Sequence, residues 1–161
     1  MFRVGIGYDA HRFSKVSRPL MLGGVAIENG RGLEGHSDAD VLLHSVCDAV
    51  LGALGLGDLG RHFPDSDPHL QGVSSVLLVE KVAGLMRERG YRVINVDAVV
   101  IAQEPRIAPH TDAMRETIAR ALGASPEEVN IKGTSPEGMG SLGRKEGIAA
   151  ETVALLEKVL T

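Results

Sequence analysis

The sequence predicts an α/β (α+β) fold, a single-domain sandwich in which helices pack on one face of a mixed β-sheet. Two observations carry this. Extended runs rich in β-branched residues alternate with amphipathic stretches long enough to cross over between strands, with glycine, proline and aspartate clustered in between. The chain has 161 residues, about one domain by the usual relation of length to domain number, and no repeat, low-complexity tract or linker interrupts it.

Arg3 to His11 reads as a strand containing glycines, and because side chains in a strand alternate, Asp9 and His11 share one face. Leu20 to Ile27, interrupted by Gly23-Gly24 and followed by the turn residues Glu28-Asn-Gly-Arg-Gly32, suits a hairpin. Ser37-Asp-Ala-Asp40 has the spacing of a helix start, and a helix to about Leu54 carries the apolar stripe Leu42, Val46, Ala49, Val50 and Ala53. His44 falls off that stripe, in a row with Asp40 and Asp48, either of which is placed to orient its imidazole.

Leu56 to Pro68 holds too many breakers for a regular element and is expected to be a loop. Val73 to Glu88 reads as an amphipathic helix closed by Gly90, and Tyr91 to Ala102 as a buried strand. Pro109 to Leu122 is a further helix, ended by Gly123, and Ser125-Pro-Glu-Glu128 opens a helical turn that runs into a strand from Val129 to Thr134. For Gly147 to Leu160 the alanines, leucines and glutamates favour helix, so propensity predicts a helix there.

Composition excludes several classes of function. A net charge of −4 and a pI near 5.8 do not suit a nucleic-acid backbone, and five aromatics, Phe2, Tyr8, Phe13, Phe63 and Tyr91, are too few for a base-stacking platform. No run approaches the roughly 18 apolar residues of a membrane span. Cys47 has no partner for a disulfide within the chain, so a reducing, cytoplasmic setting is expected. A small, highly charged ligand remains compatible, because a few arginines, backbone amides and metal ions neutralise phosphates without a basic protein.

One carboxylate and two imidazoles, Asp9, His11 and His44, form the set that a catalytic zinc site uses when its fourth position is kept for water or substrate. Gly35-His36-Ser37 at a helix start adds two side-chain donors where a helix N-terminus already favours phosphate. Asp58, Asp65 and Asp67 in a glycine-rich loop suit substrate hydroxyls, a second cation or simply turn capping. Thr134 to Arg144 offers hydroxyls, glycine amides, an acid and a cation after a strand, an inventory for a diphosphate with magnesium. Gly5-Ile-Gly-Tyr-Asp-Ala10 fits a dinucleotide fingerprint, but the segment from Arg12 to Pro19 has no helical apolar stripe to follow it.

Taken together, Gly5-x-Gly-x-Asp-x-His-x-Phe13, Gly35-His-Ser-Asp-x-Asp40, His44, Asp48-Ala, Leu56-Gly-Asp-Leu-Gly60, Phe63-Pro-Asp-x-Asp67, Ala102-Gln-x-Pro105, Pro109-His110 and Gly143-Arg-x-Glu-Gly147 resemble the 2-C-methyl-D-erythritol 2,4-cyclodiphosphate synthase family of the non-mevalonate isoprenoid pathway. The resemblance covers nearly the whole chain, as one synthase domain over residues 1–161. It implies a homotrimer with active sites between subunits, and a C-terminal strand in place of the helix that propensity favours. It implies a lyase whose substrate, 4-diphosphocytidyl-2-C-methyl-D-erythritol 2-phosphate, attacks its own β-phosphorus and expels CMP.

By the same resemblance Asp9, His11 and His44 hold zinc, and Glu137 ligates magnesium or manganese. His36 and Ser135 stabilise the transition state. Ser37, Asp58, Leu59 and Gly60 hold the methylerythritol phosphate together with Phe63, Pro64, Asp65, Ser66 and Asp67, and Arg144 reaches a phosphate. Ala102, Gln103, Glu104, Pro105, Arg106, Ile107 and Ala108 form the cytidine pocket with Gly133, Thr134 and Ser135. Two other readings stay open on residues alone. One is a metal-dependent phosphohydrolase using metal-bound water, the other a non-catalytic scaffold whose metal merely fastens the trimer.

Overall fold

A computed structural model describes residues 1–28 and 30–159. Asn29 of the expected turn, Leu160 at the end of the C-terminal run and Thr161 lie outside the described residues. Strand β1 (Phe2–Arg12) is followed by the hairpin β2 (Leu20–Leu22) and β3 (Val25–Ile27), which pairs Leu20 with Ile27 around the expected Gly23-Gly24 turn. Helix α1 (Val41–Leu54) comes next, then a four-residue helix α2 (Leu59–His62) and helix α3 (Ser75–Glu88). The chain continues through β4 (Tyr91–Ile101), α4 (Thr111–Leu122), β5 (Val129–Thr134), the short α5 (Gly140–Gly143) and β6 (Gly147–Lys158).

The larger sheet has the order β1-β6-β4-β5, antiparallel except for β4 and β5, which are parallel and joined through α4. This is the expected mixed sheet. Helix α1 lies on β1 and β6, α4 packs against β5, and α3 packs on α1 and α4. Leu42, Leu43, Val46, Val50 and Leu51 of α1 are fully buried, each worth roughly 2 kcal/mol by removal of apolar surface from water. Close packing of α1 on β1 depends on two glycines. A Cβ at Gly5 would stand 2.0 Å from the Ala49 carbonyl oxygen, and one at Gly7 only 1.9 Å from that of Ser45.

Two sequence expectations are corrected. The run from Gly147 forms the strand β6 because it lies between β1 and β4 in the sheet, where backbone groups on both edges are paired. Its buried Ile148, Ala150, Thr152, Ala154 and Leu156 recur with period two, and this tertiary pairing overrides helix propensity. The stretch from Leu56 to Pro68 is not wholly irregular. Asp58 accepts from the Arg61 N–H and nucleates α2, and Asp67 caps a further helical turn at Pro68–Leu70.

Candidate active site

Alternation along β1 turns Asp9 and His11 toward the helices, and His44 meets them from the first turn of α1. Asp40 starts that helix by accepting from the Leu43 N–H, and also accepts from the Gly23 and Gly24 N–H groups at 2.9 and 2.7 Å, which ties the hairpin to the helix start. Asp9 Oδ2 lies 2.8 Å from His11 Nε2 and 3.0 Å from His44 Nδ1, and the two nitrogens are 3.2 Å apart. The side chains are 27%, 19% and 12% exposed for Asp9, His11 and His44, so the cluster is sheltered yet reachable.

His11 Nδ1–H donates to the Glu34 carbonyl at 2.5 Å, which leaves the Nε2 lone pair turned toward Asp9 and His44. Three electron-rich atoms thus face one point, and their spacings approach the edges of about 3.3 Å that follow from zinc–ligand bonds of roughly 2.0 Å. Carboxylate, imidazole and imidazole fit a divalent metal with an open position. A proton competes for the same point. Burial pushes the Asp9 carboxyl up, but the His11 and His44 imidazoles against Oδ2, when they carry a proton on that side, outweigh it and hold Asp9 well below its ordinary range. Burial disfavours charge on His11, and the Asp9 carboxylate overrides that, raising the imidazole above its ordinary 6.5.

The cluster forms the floor of a cavity of about 460 Å³. His36, Ser37, Asp58, Leu59, Gly60, Phe63 and Asp65 line it, together with Gly35, Asp48, Leu70, Val73 and Leu78. Pro64, Ser66 and Asp67 do not line it, and Asp67 instead accepts from the His69 N–H. A second cavity, about 260 Å³, is formed by Ala102, Gln103, Pro105, Arg106, Ile107 and Ala108 with Gly133, Thr134 and Ser135. Glu104 stays outside it, paired with Lys145 at 2.9 Å. The Glu137 N–H donates to Ser135 Oγ, and Arg144 pairs with Glu146 at 2.7 Å. Neither residue lines the two cavities.

Neither acid of the helical row orients His44. Asp40 is spent on the helix start and hairpin, and Asp48 accepts from the Leu59 N–H at 2.7 Å, anchoring the start of α2. Burial pushes Asp48 up, with the Leu59 bond partly offsetting it and the Asp58 and Asp9 charges adding to it. His44 Nε2 instead meets Ser75 Oγ at 3.0 Å and Ser37 Oγ at 3.1 Å. Sequence reasoning missed Ser75, because nothing in the start of α3 marks it as a neighbour of α1.

The YgbB family matches residues 2–157. The chain belongs to the YgbB family. The 2-C-methyl-D-erythritol 2,4-cyclodiphosphate synthase of Syntrophomonas wolfei is 55% identical over 156 residues, 97% of this chain and 99% of that protein. Among solved structures, IspF of Plasmodium falciparum in complex with CDP has a TM-score of 0.86 at 32% identity, covering 99% of this chain and 97% of that one. The bifunctional IspDF of Campylobacter jejuni has a TM-score of 0.94 at 40% identity, covering 98% of this chain, which spans 42% of that two-function protein.

Proposed function

We propose that the chain, as one synthase domain over residues 1–161, is a metal-dependent cyclising lyase that makes 2-C-methyl-D-erythritol 2,4-cyclodiphosphate and CMP from 4-diphosphocytidyl-2-C-methyl-D-erythritol 2-phosphate. The observation that carries this is the convergence of Asp9, His11 and His44 on the floor of a cavity walled by the Asp58 to Asp65 loop. An oxygen of the 2-phosphate attacks the β-phosphorus, the bond from that phosphorus to the oxygen bridging to the α-phosphate breaks, and CMP leaves with the electron pair. Zinc at Asp9, His11 and His44, with magnesium or manganese at Glu137, supplies charge neutralisation and a template for the phosphates.

The protein contributes position and fixed donors rather than a covalent nucleophile, which suits phosphoryl transfer. Asp58, Leu59, Gly60, Phe63 and Asp65 seat the methylerythritol end above the metal ligands, Pro64, Ser66 and Asp67 support that loop, and His36 and Ser37 meet its phosphate from the wall of the same cavity. The second cavity takes the cytidine, Ser135 at its edge donates to phosphate oxygens, and Arg144 adds a cation. Folding the substrate back on itself makes the attack intramolecular, with the high effective concentration that follows.

The two cavities share no residue and sit toward opposite edges of a four-stranded sheet, whose edge strands β1 and β5 lie about 14 Å apart by strand spacing. A homotrimer that brings the cytidine cavity of one chain to the metal cavity of its neighbour completes the site. The free, buried Cys47 suits a reducing cytoplasm.

Phosphorus NMR of the purified protein with the cytidyl substrate, zinc and magnesium tests the reaction. A cyclic diphosphate together with CMP is expected; free phosphate would indicate a hydrolase, and unchanged substrate with metal bound a scaffold. His44→Ala is expected to cost more than about 100-fold in zinc affinity, beyond what an outer partner of a ligand contributes, and to abolish turnover in a folded protein. Full turnover without zinc would overturn the assignment.

A further inference from the structure

The ring of His44 has two nitrogens and only Nδ1 faces the metal point, so its use as a ligand depends on which nitrogen carries the proton. Nε2 lies between two hydroxyls, Ser75 Oγ at 3.0 Å and Ser37 Oγ at 3.1 Å. A hydroxyl both donates and accepts, so Ser37, which already accepts from the Ala39 N–H at 3.2 Å, is compatible with either tautomer. Ser75 is not. Its single proton is directed at Asp38 Oδ1, 2.5 Å away, and a carboxylate oxygen only accepts.

From this chain we infer that Asp38 and Ser75 are positioning residues for the metal centre: Asp38 orients the Ser75 hydroxyl, Ser75 accepts from His44 Nε2–H, and His44 Nδ1 is thereby left unprotonated for the metal. The inference rests on the metal-centre reading above. The relay is built into the fold. Asp38 Oδ2 also accepts from the Ser75 N–H at 3.0 Å, and the Asp38 N–H donates to the Val73 carbonyl at 3.0 Å, so the α1 start and the α3 start are joined at this point. Ser75 is fully buried and no water competes for its hydroxyl from the surface. Ala39 takes a left-handed φ of 57°, which turns Asp38 toward Ser75 and Asp40 toward the hairpin. Through Glu34 for His11 and Ser75 for His44, both imidazoles have the nitrogen remote from the metal held by a fixed partner.

The test is the zinc dissociation constant, measured by chelator competition on the native protein, on Ser75→Ala and on Asp38→Asn. Ser75→Ala removes the one hydroxyl that can only accept from His44, leaving Ser37, which suits either tautomer, and keeps the backbone bond to Asp38. Asp38→Asn is isosteric and gives Ser75 a donor to face, which frees the serine proton to turn toward His44. Each is expected to weaken zinc about 10- to 100-fold, the usual effect of losing an outer partner of a ligating histidine. The double variant is expected to lose no more than the larger single, because the two act as one chain. Nitrogen-15 spectra of the zinc-loaded native protein are expected to show His44 bound through Nδ1 with a proton on Nε2. Zinc affinity within about twofold of native in the folded variants overturns the inference and leaves the metal centre standing. If Ser75→Ala does not fold, Asp38→Asn and the native spectrum decide, and His44 bound through Nε2 overturns it. Absence of zinc binding by the native protein overturns the metal centre itself and the relay with it.

Discussion

At His11 a proton and a metal compete for the same nitrogen, and the sign of the pH dependence follows. The pKa of His11 is raised above 6.5, chiefly because the Asp9 carboxylate overrides the cost of burying the charge. Below that raised value Nε2 is protonated and cannot ligate, so zinc affinity is expected to fall by about tenfold per pH unit as pH drops. Chelator competition across the range in which histidine titrates checks this. The metal-stripped chain runs the other way. A raised histidine stabilises the fold fully below its ordinary 6.5 and loses that contribution as pH rises through the raised value, while Asp9, held low, contributes above its ordinary 3.8 and loses its share as pH falls through the depressed one. Thermal unfolding in chelator should therefore show the pair's contribution whole between those ordinary values and declining at higher pH, whereas zinc-loaded protein should gain stability there. Identical profiles with and without zinc would mean that the cluster holds neither the proton nor the metal as described.

Between elements, the position of the site is set by the seating of α1 on β1, because His44 reaches Asp9 and His11 only at that distance. Gly7→Ala would place a carbon 1.9 Å from the Ser45 carbonyl oxygen, backbone that cannot step aside without lifting the helix. The expected cost is about 3 kcal/mol, the upper range for overpacking a core, seen as a lower unfolding midpoint of the stripped protein and weaker zinc binding in the fraction that folds. A midpoint unchanged from native would show that the helix is not seated by this glycine. Sequence pattern made much of this arrangement readable. Alternation put Asp9 and His11 on one face, Ser37-Asp-Ala-Asp40 signalled the start of α1, whose cap is Asp40, and Gly123 ends α4 as a glycine after an apolar stripe does. What escaped it depends on contacts between distant segments. β6 is a strand because β1 and β4 flank it, Asp48 is engaged by Leu59 rather than by His44, and Ser75 reaches His44 across 31 positions of chain. Local propensity carries none of that information.

At the scale of the whole molecule, helices cover one face of the sheet, and among the described residues none covers the other. On the uncovered face Phe2, Val4, Ile6 and Tyr8 of β1 are each more than half exposed, and Ile6 stands opposite the exposed Val153 of β6. An exposed apolar stripe of this kind is a surface for association, and in the proposed homotrimer it packs toward the neighbouring chains. Ile6→Glu tests this without touching the site. Residue 6 points away from α1, and its substitution leaves Asp9, His11 and His44 within one chain. Burying a carboxylate without a partner is costly, so sedimentation should show the native protein as the proposed trimer and the variant largely as monomer. Zinc affinity should stay within about threefold of native, since ligands held by packing far from the change are little affected, while cyclisation should fall at least about 100-fold because substrate is no longer held at both ends. Monomers that cyclise at the native rate would place both halves of the site within one chain, and loss of zinc along with turnover would mean that the interface shapes the metal ligands themselves.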